Sequence, residues 1–532
     1  MPSRGPCSTN RLWRHAPRGV AVALGCACAW AGAAALAAPA SAASGAPGFS
    51  VTVRPLLTSS NIAGSWQVLP YRAPGLSVHA TLMNNGKVLI VEGSGNDPNQ
   101  FNAGTFNIWV WDPGAGTFTL VPQLPFDLFC GGHALLANGK VLFIGGTSAY
   151  PTSAVPFHLG TKVSYEFDPS TGTFTQEPNM QYARWYPTAL EQGDGSVLAV
   201  SGSNDTTGAT VPYTELFNPF SGSWSTLAGQ QWFPLYPNLT LLANGQVFYS
   251  GSASGGSASH QPGVWSPVGN GFTGAPSLQN PTRRDQAASI LLPPAQAQKI
   301  AVFGGGNADD SSASAVNSTD VFNLANPSAP THANGISLAT AKMHVLGVIL
   351  PDETVFETAG SQRFAAYAVA ESAIYRPSNG LWSQMNPPTV PRSYHAEAIL
   401  LPSGQVATLG SNPLGFAPET RIEVFSPPYL FKGQRPVINY GPSQATYGGS
   451  YGLNVTLAPS ATLSHVVIIH PASVTHSDDP NQRLVELPFT GTNGNFVVTV
   501  PSNPNLTPPG WYMLFADDNQ GRPSVASWVH IS

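Results

Sequence analysis

Asn85-Gly86-Lys87-Val88-Leu89-Ile90 reads as a tight turn running into an apolar strand, and the chain returns to that pattern six more times. The further copies are Asn138-Gly139-Lys140-Val141-Leu142-Phe143, Asp194-Gly195-Ser196-Val197-Leu198-Ala199 and Asn244-Gly245-Gln246-Val247-Phe248-Tyr249. Then come Gln298-Lys299-Ile300-Ala301-Val302-Phe303, Asp352-Glu353-Thr354-Val355-Phe356 and Ser403-Gly404-Gln405-Val406-Ala407-Thr408. Asn-Gly between apolar runs is a strong hairpin signal, because both residues reach the left-handed conformations such turns use. A second element keeps phase with the first: Trp109-Val110-Trp111-Asp112-Pro113, Tyr165-Glu166-Phe167-Asp168-Pro169, Glu215-Leu216-Phe217-Asn218-Pro219, Ile374-Tyr375-Arg376-Pro377 and Val424-Phe425-Ser426-Pro427. It reads as a third strand ending in a turn, and several copies lead into a fourth strand. Four strands in each of seven units predict a seven-bladed β-propeller.

The copies recur every 50 to 56 residues, which matches the kelch period of about 50. Gly64-Ser65-Trp66-Gln67-Val68-Leu69 precedes the first full unit and is expected to close the ring as the outer strand of the last blade. The propeller is assigned to residues 64–430. The repeat stops after Pro428. Residues 436–532 alternate apolar and polar between Gly and Pro turns, as in Trp511-Tyr512-Met513-Leu514-Phe515, and predict an Ig-like β-sandwich. The expected fold class is therefore all-β, a kelch-type propeller followed by a C-terminal sandwich.

The first residues carry a different signal. Arg4, Arg11, Arg14 and Arg18 precede an apolar run from Gly19 to about Ala37, and Ala40-Ser41-Ala42 follows. This is the layout of a signal peptide, 1–42, with a linker over 43–63. An uncleaved signal anchor is the alternative, since the apolar run is long. Either way the body is expected outside the cytosol, secreted or at a cell surface. Charged residues make up only 9% of the chain and the net charge is −5 with no basic run, which argues against nucleic acid as a partner. No later stretch is apolar enough to span a bilayer, so no membrane contact is expected after cleavage. A monomer is expected.

In a propeller the first strand of each blade lines the central axis, so its beginning approaches the axial mouth. That position reads His79, His133, Tyr186, Tyr236, Asp285, His344 and the pair Tyr394-His395 along the seven units. Polar residues around a wet channel would be one explanation. The set is nonetheless rich in metal-binding side chains, and imidazole with oxygen donors suits Cu(II). Cys7, Cys26 and Cys28 belong to or adjoin the leader, which leaves Cys130 as the one cysteine of the mature chain. An odd cysteine in an exported protein points to a reactive thiol or an intermolecular link.

Five segments carry a resemblance. They are Phe129-Cys130-Gly131-Gly132-His133, Ala183-Arg184-Trp185-Tyr186-Pro187-Thr188, Ser393-Tyr394-His395, Thr475-His476-Ser477 with Asn481-Gln482-Arg483, and Gly521-Arg522-Pro523-Ser524-Val525-Ala526-Ser527. Together and in this order they resemble the galactose oxidase and glyoxal oxidase family of copper radical oxidases, over roughly residues 60–532. The resemblance implies one copper per chain, held by Tyr186, Tyr394, His395 and His476. It implies a thioether cross-link between Cys130 and the ring of Tyr186, with the cross-linked phenol holding a radical. It implies that Tyr394 is an axial phenolate that takes the substrate's hydroxyl proton. The implied reaction oxidises an aldehyde, a primary alcohol or a carbohydrate and reduces O2 to H2O2.

Two departures bear on the substrate. Galactose oxidases stack a tryptophan on the cross-linked tyrosine, and the corresponding stretch here is Val200-Ser201-Gly202-Ser203-Asn204-Asp205, with Asn204 nearest the slot, which leaves open an aromatic from elsewhere in the chain. About 20 residues separate the leader from the propeller, too few for the sugar-binding domain of some relatives. A glyoxal oxidase-like substrate is therefore expected over galactose. The alternatives are a non-catalytic secreted kelch propeller that binds glycans, and a propeller hydrolase. Asp285 is the single carboxylate among the mouth positions, against the pair that glycoside hydrolysis usually needs.

Overall fold

The computed structural model describes residues 59–257 and 260–532. The expected signal peptide and all but the end of the expected linker lie outside them. Seven sheets follow one another along the chain, over residues 79–120, 132–177, 188–226, 239–274, 288–334, 346–384 and 396–426. They are numbered here as blades 1 to 7. The first strands of neighbouring blades touch, for example Gly132–Leu135 with Thr188–Glu191 and Leu346–Ile349 with Ala396–Leu400. The architecture is the propeller the repeats predict.

The turn residues explain the blades locally. Asn85 Oδ1 accepts the Lys87 N–H at 3.0 Å, and Asn138, Asp194 and Asn244 do the same two residues ahead in blades 2 to 4. The next residue has positive φ, +76° at Gly86 and +82° to +85° at Gly139, Gly195 and Gly245. Blades 5 and 6 put Gln298 (φ +50°) and Glu353 (φ +61°) at that position. Gln298 is held there by two bonds, its amide donating to Ala295 O at 2.7 Å and accepting from Ala243 N at 2.8 Å.

The inner strands are almost wholly buried, as in Val88–Gly93 and Val141–Ile144, whereas the fourth strands Thr117–Leu120 and Ser223–Thr226 are mostly exposed. Apolar side chains therefore pack blade against blade, such as Leu89, Val91, Val141 and Phe143 between blades 1 and 2. Ser65–Arg72 pairs antiparallel with Arg421–Ser426, Ser65 opposite Ser426 and Trp66 opposite Phe425. The N-terminal strand thus joins the last blade and closes the ring.

Two further sheets form the C-terminal sandwich. One joins Val437–Tyr440, Ser450–Thr456, Asn495–Thr499 and Phe489–Thr492. The other joins Gln444–Ala445, Ser527–Ile531, Gly510–Asp518, Leu463–Ile469 and Leu484–Glu486. The segment between Leu463–Ile469 and Leu484–Glu486 leaves the sandwich and enters the propeller. Its strand Ser473–Thr475 pairs with His79–Leu82 and becomes a fifth strand of blade 1.

Side chains fix this inserted segment to several blades at once. Asn481 accepts the Glu191 N–H at 2.9 Å and donates to Ala189 O at 3.2 Å. Asp478 accepts from the Asn238 amide at 2.6 Å, and Gln482 donates to Gly347 O at 3.2 Å. These contacts reach blades 3, 4 and 6 and carry His476 to the axis.

Candidate active site

The inner strands are entered through residues in the left-handed region: Cys130 (φ +60°), Tyr186 (+64°), Tyr236 (+44°), Gln286 (+57°), His344 (+59°) and His395 (+54°). Such a conformation costs a non-glycine residue about 1–2 kcal/mol and concentrates at functional sites. Backbone bonds hold it. Tyr186 N donates to Cys130 O at 2.9 Å, Tyr236 N to Tyr186 O at 2.9 Å, and His344 N to Gln286 O at 2.7 Å.

Fully buried guanidinium groups anchor three of these corners. Arg184 donates to Ser201 O and Tyr213 O, both at 2.7 Å, and pairs with Glu215 at 2.8 Å. Arg284 likewise bonds Gly304 O at 2.8 Å and pairs with Asp320. Arg392 bonds Gly410 O and Arg421 O. Each cation precedes a mouth residue by one to three positions, so a repeated arginine sets the place of Tyr186, Tyr394 and His395.

The structure sorts the mouth positions read from the sequence. In blade 2 the left-handed corner is Cys130, and His133 lies inside the strand Gly132–Leu135. His133 Nδ1 meets Ser473 Oγ at 2.6 Å, while His79 Nε2 accepts the Cys130 N–H at 3.1 Å. Both histidines support the site from below. In blade 5 the corner is Gln286, and Asp285 is engaged by Ser257 N at 2.9 Å and Ala308 N at 3.0 Å. Its carboxylate, the one acid among the mouth positions, organises loops.

Four residues converge with Cys130. The phenol oxygens of Tyr186 and Tyr394 are hydrogen-bonded to each other. The His476 ring lies 4.7 Å from the Tyr186 ring, 5.4 Å from that of Tyr394 and 4.6 Å from that of His395. Cys130 Sγ is 3.7 Å from His476 Nε2. That sulfur and one nitrogen from each of His395 and His476 all lie within 4.8 Å of one another. All five residues are buried, Tyr394 being the most accessible at 8%.

Hydrogen bonding decides which His476 nitrogen points inward. Thr475 Oγ1 donates to Val78 O at 2.9 Å, so it accepts the His476 Nδ1 proton at 2.6 Å. The Nε2 lone pair is then left facing the cluster. His395 has no well-formed hydrogen bond at either ring nitrogen, although the Asn412 side chain is close enough to raise its basicity. Burial holds the His395 pKa down to about 3 and that of His476 well below the usual imidazole value. Both rings are neutral at pH 7, the form that ligates metals. A buried polar atom left unpaired costs about 1–3 kcal/mol, and a cation between the rings removes that cost. Two neutral imidazoles and two phenols are thus a donor set that fits copper.

The stacking partner of Tyr186 is its own neighbour. The Trp185 indole lies on the Tyr186 ring with centroids 3.7 Å apart and planes 10° apart. His158 stacks on Trp185 at 4.6 Å and 5°. Asn204 does not approach the ring. Its Oδ1 accepts the N–H groups of Thr206, Thr207 and Gly208 at 3.1, 2.8 and 3.0 Å and shapes a loop. The sequence did contain this signal, as the Trp of Ala183-Arg184-Trp185-Tyr186.

An aldehyde oxidase GLOX of Vitis pseudoreticulata is 30% identical over 406 residues, 67% of this chain and 73% of that protein. The chain belongs to the galactose oxidase and glyoxal oxidase family of copper radical oxidases. A galactose oxidase of Gibberella zeae is 26% identical over 456 residues, 79% of this chain and 64% of that enzyme. The family model of the galactose oxidase-like Early set domain matches residues 435–531, the sandwich that sends His476 to the axis. The fold is shared with a fungal alcohol oxidase of the AA5 family solved in complex with copper. That match has a TM-score of 0.75 at 21% identity and covers 88% of this chain and all of that one. The chain spans 50% and 64% of the length of two of its curated relatives.

Proposed function

We propose that this protein is a secreted copper radical oxidase that converts an aldehyde or primary alcohol to its oxidised product and O2 to H2O2. The supporting observation is the convergence of Tyr186, Tyr394, His395 and His476 around Cys130, drawn from two blades and from the inserted tail segment. A glycan-binding propeller has no use for two buried neutral imidazoles packed against two bonded phenols.

In this reading Tyr186, Tyr394, His395 and His476 hold the metal. Bound copper would polarise the substrate oxygen and exchange single electrons during turnover. Tyr394, the more accessible of the two phenols and deprotonated to its phenolate when the metal is bound, would accept the hydroxyl proton at its oxygen. Tyr186, oxidised by one electron, removes a hydrogen atom from the adjacent carbon. Trp185, stacked on its ring, shields the oxidised phenol from water.

The Cys130 and Tyr186 side chains share one buried cluster, which suits the thioether of the family. Forming that bond replaces the thiol hydrogen and one ring hydrogen, and O2 takes up the two electrons and two protons as H2O2. The N-terminal leader supports export. Peroxide release tests the reading: copper-loaded protein given methylglyoxal or a primary alcohol forms H2O2 in proportion to substrate consumed. No peroxide from any aldehyde, alcohol or sugar would overturn it.

A further inference from the structure

Where the sandwich lies on the propeller, one imidazole and two carboxylates meet outside the axial site: His465, Glu353 and Glu486. Leu463–Ile469 and Leu484–Glu486 belong to one sheet of the sandwich, and Val467 and Leu484 from it join an apolar cluster with Leu350, Val355 and Leu401 of blades 6 and 7. His465 stands two residues before Val467, and Glu486 two after Leu484, so side-chain alternation puts both on this propeller-facing side. Blade 6 brings Glu353, in the turn at the far end of Leu346–Ile349 from His344. Glu486 is also fixed from blade 5, since the Gln296 amide donates to its carbonyl at 2.7 Å and accepts its N–H at 3.3 Å.

Both carboxylates address one nitrogen. His465 Nδ1 lies 3.0 Å from Glu486 Oε1 and 3.8 Å from Glu353 Oε1. A single N–H can serve Glu486, and Glu353 Oε1 is a buried atom left without a hydrogen bond. A tetrahedral cation with bonds of about 2.0–2.1 Å sets its ligands about 3.3 Å apart, between these two spacings. It would engage both oxygens and the Nδ1 lone pair together. Loss of solvation, then Glu486 and Asp352, hold the Glu353 carboxyl above its usual range against the pull of His465. The nearby Arg376 and Lys432 act on Asp352 instead.

Asp517 points the same way independently. It pairs with His465 across the ladder, and paired residues share a face. Asp517 is 2% exposed, and its Oδ1 has no partner among the described residues. Burial first, then Asp352 and Glu353, push its pKa well up, with Arg435 opposing them. A buried carboxyl oxygen without a partner is rare, and a cation beside it accounts for one.

We infer that Glu353, His465 and Glu486 are the ligands of a second metal site, one that takes zinc or a similar first-row divalent cation and clips blade 6 to the sandwich. The imidazole selects against calcium and magnesium, which take all-oxygen sets. Three protein ligands leave one position for water. The His465 and Glu486 side chains are 40% and 41% exposed, which gives the ion a way in. The clip does not depend on the oxidase reading.

Full-length protein carrying one equivalent of copper is dialysed against micromolar ZnCl2, and bound metals are counted by elemental analysis. One zinc per chain is expected beside the copper, and equimolar CaCl2 should leave it in place. Even loss of a group that only orients a ligand weakens metal binding 10–100-fold, so His465→Gln and Glu353→Gln should each weaken zinc binding by more than about tenfold. Both variants should keep their copper and their peroxide rate. Copper-free His476→Ala, altered at the axis, should still take up one zinc. Four results would each overturn the clip: no saturable zinc, displacement by calcium, full retention in both Gln variants, or loss of the zinc in His476→Ala. Zinc at the clip without peroxide from any substrate would support the clip and sink the oxidase. Peroxide without zinc binding would do the reverse.

Discussion

Thr475 decides which face of His476 is available. Its hydroxyl is committed to Val78 O and so receives the imidazole Nδ1 proton, which leaves Nε2 toward Cys130 and the phenols. Thr475→Val keeps the shape and removes the acceptor. Loss of such an orienting bond typically weakens metal binding 10–100-fold. We expect that loss in competition with a copper chelator, with the unfolding midpoint of the copper-free protein shifted far less. Unchanged affinity would mean that packing alone orients the ring. Trp185 shows how the same scale was legible in part. Its indole sits next to Tyr186 in sequence, yet stacking of adjacent residues depends on the left-handed backbone at Tyr186. No residue pattern announces that conformation outside glycine and asparagine, so the sequence did not name the residue that takes the place of the stacking tryptophan.

At the scale of elements, buried charge holds the mouth in place. Arg184 and Glu215 are both removed from solvent, with side-chain exposures of 0% and 1%. Breaking a buried pair from one side destabilises by about 3–5 kcal/mol, because the remaining charge has no partner. Glu215→Gln should therefore lower the urea midpoint of the copper-free protein strongly and reduce oxidase activity through Tyr186. A shift below about 1 kcal/mol, as for an exposed pair, would contradict this account. The blades themselves were readable, since Asn-Gly turns followed by apolar strands dictate hairpins directly. The order of corners was less so. Cys130 and Gln286 occupy positions where the residue pattern pointed to His133 and Asp285, because a corner is set by backbone hydrogen bonds between blades. The entry of Ser473–Thr475 into blade 1 joins segments almost 400 residues apart, and no local pattern encodes that pairing.

At the scale of the whole molecule, the inserted segment couples the sandwich to the ring and makes their union pH-dependent. Asp479 is half-buried where that segment meets blade 3, and its pKa is pushed up to about 6, loss of solvation at the carboxyl outweighing the attraction of His470. The unfolded carboxyl titrates near 3.9. Between those values the folded protein keeps a proton that the unfolded chain has released. The contribution of Asp479 is therefore complete below about pH 4 and is lost as pH rises through about 6. The loss is on the order of 2–3 kcal/mol. Asp479→Asn should remove that part of the slope, seen as a smaller difference in urea stability between pH 4.5 and pH 7.5. An identical slope in the variant would assign the effect to buried acids such as Asp127 and Glu357, whose pKa values are raised to about 6 and about 7. Ring closure by Ser65–Arg72 joins distant parts of the chain at the rim, and docking of the sandwich carries another to the axial centre.

The central claim is that this centre is a copper site built on a Cys130–Tyr186 redox cofactor, and peptide mass spectrometry tests it most directly. Protein exposed to copper and O2 is denatured, alkylated and digested. The account predicts one species joining the peptides of Cys130 and Tyr186, about 2 Da below their sum, with no alkylation at Cys130. Full alkylation of Cys130 and two separate peptides of unaltered mass would contradict it.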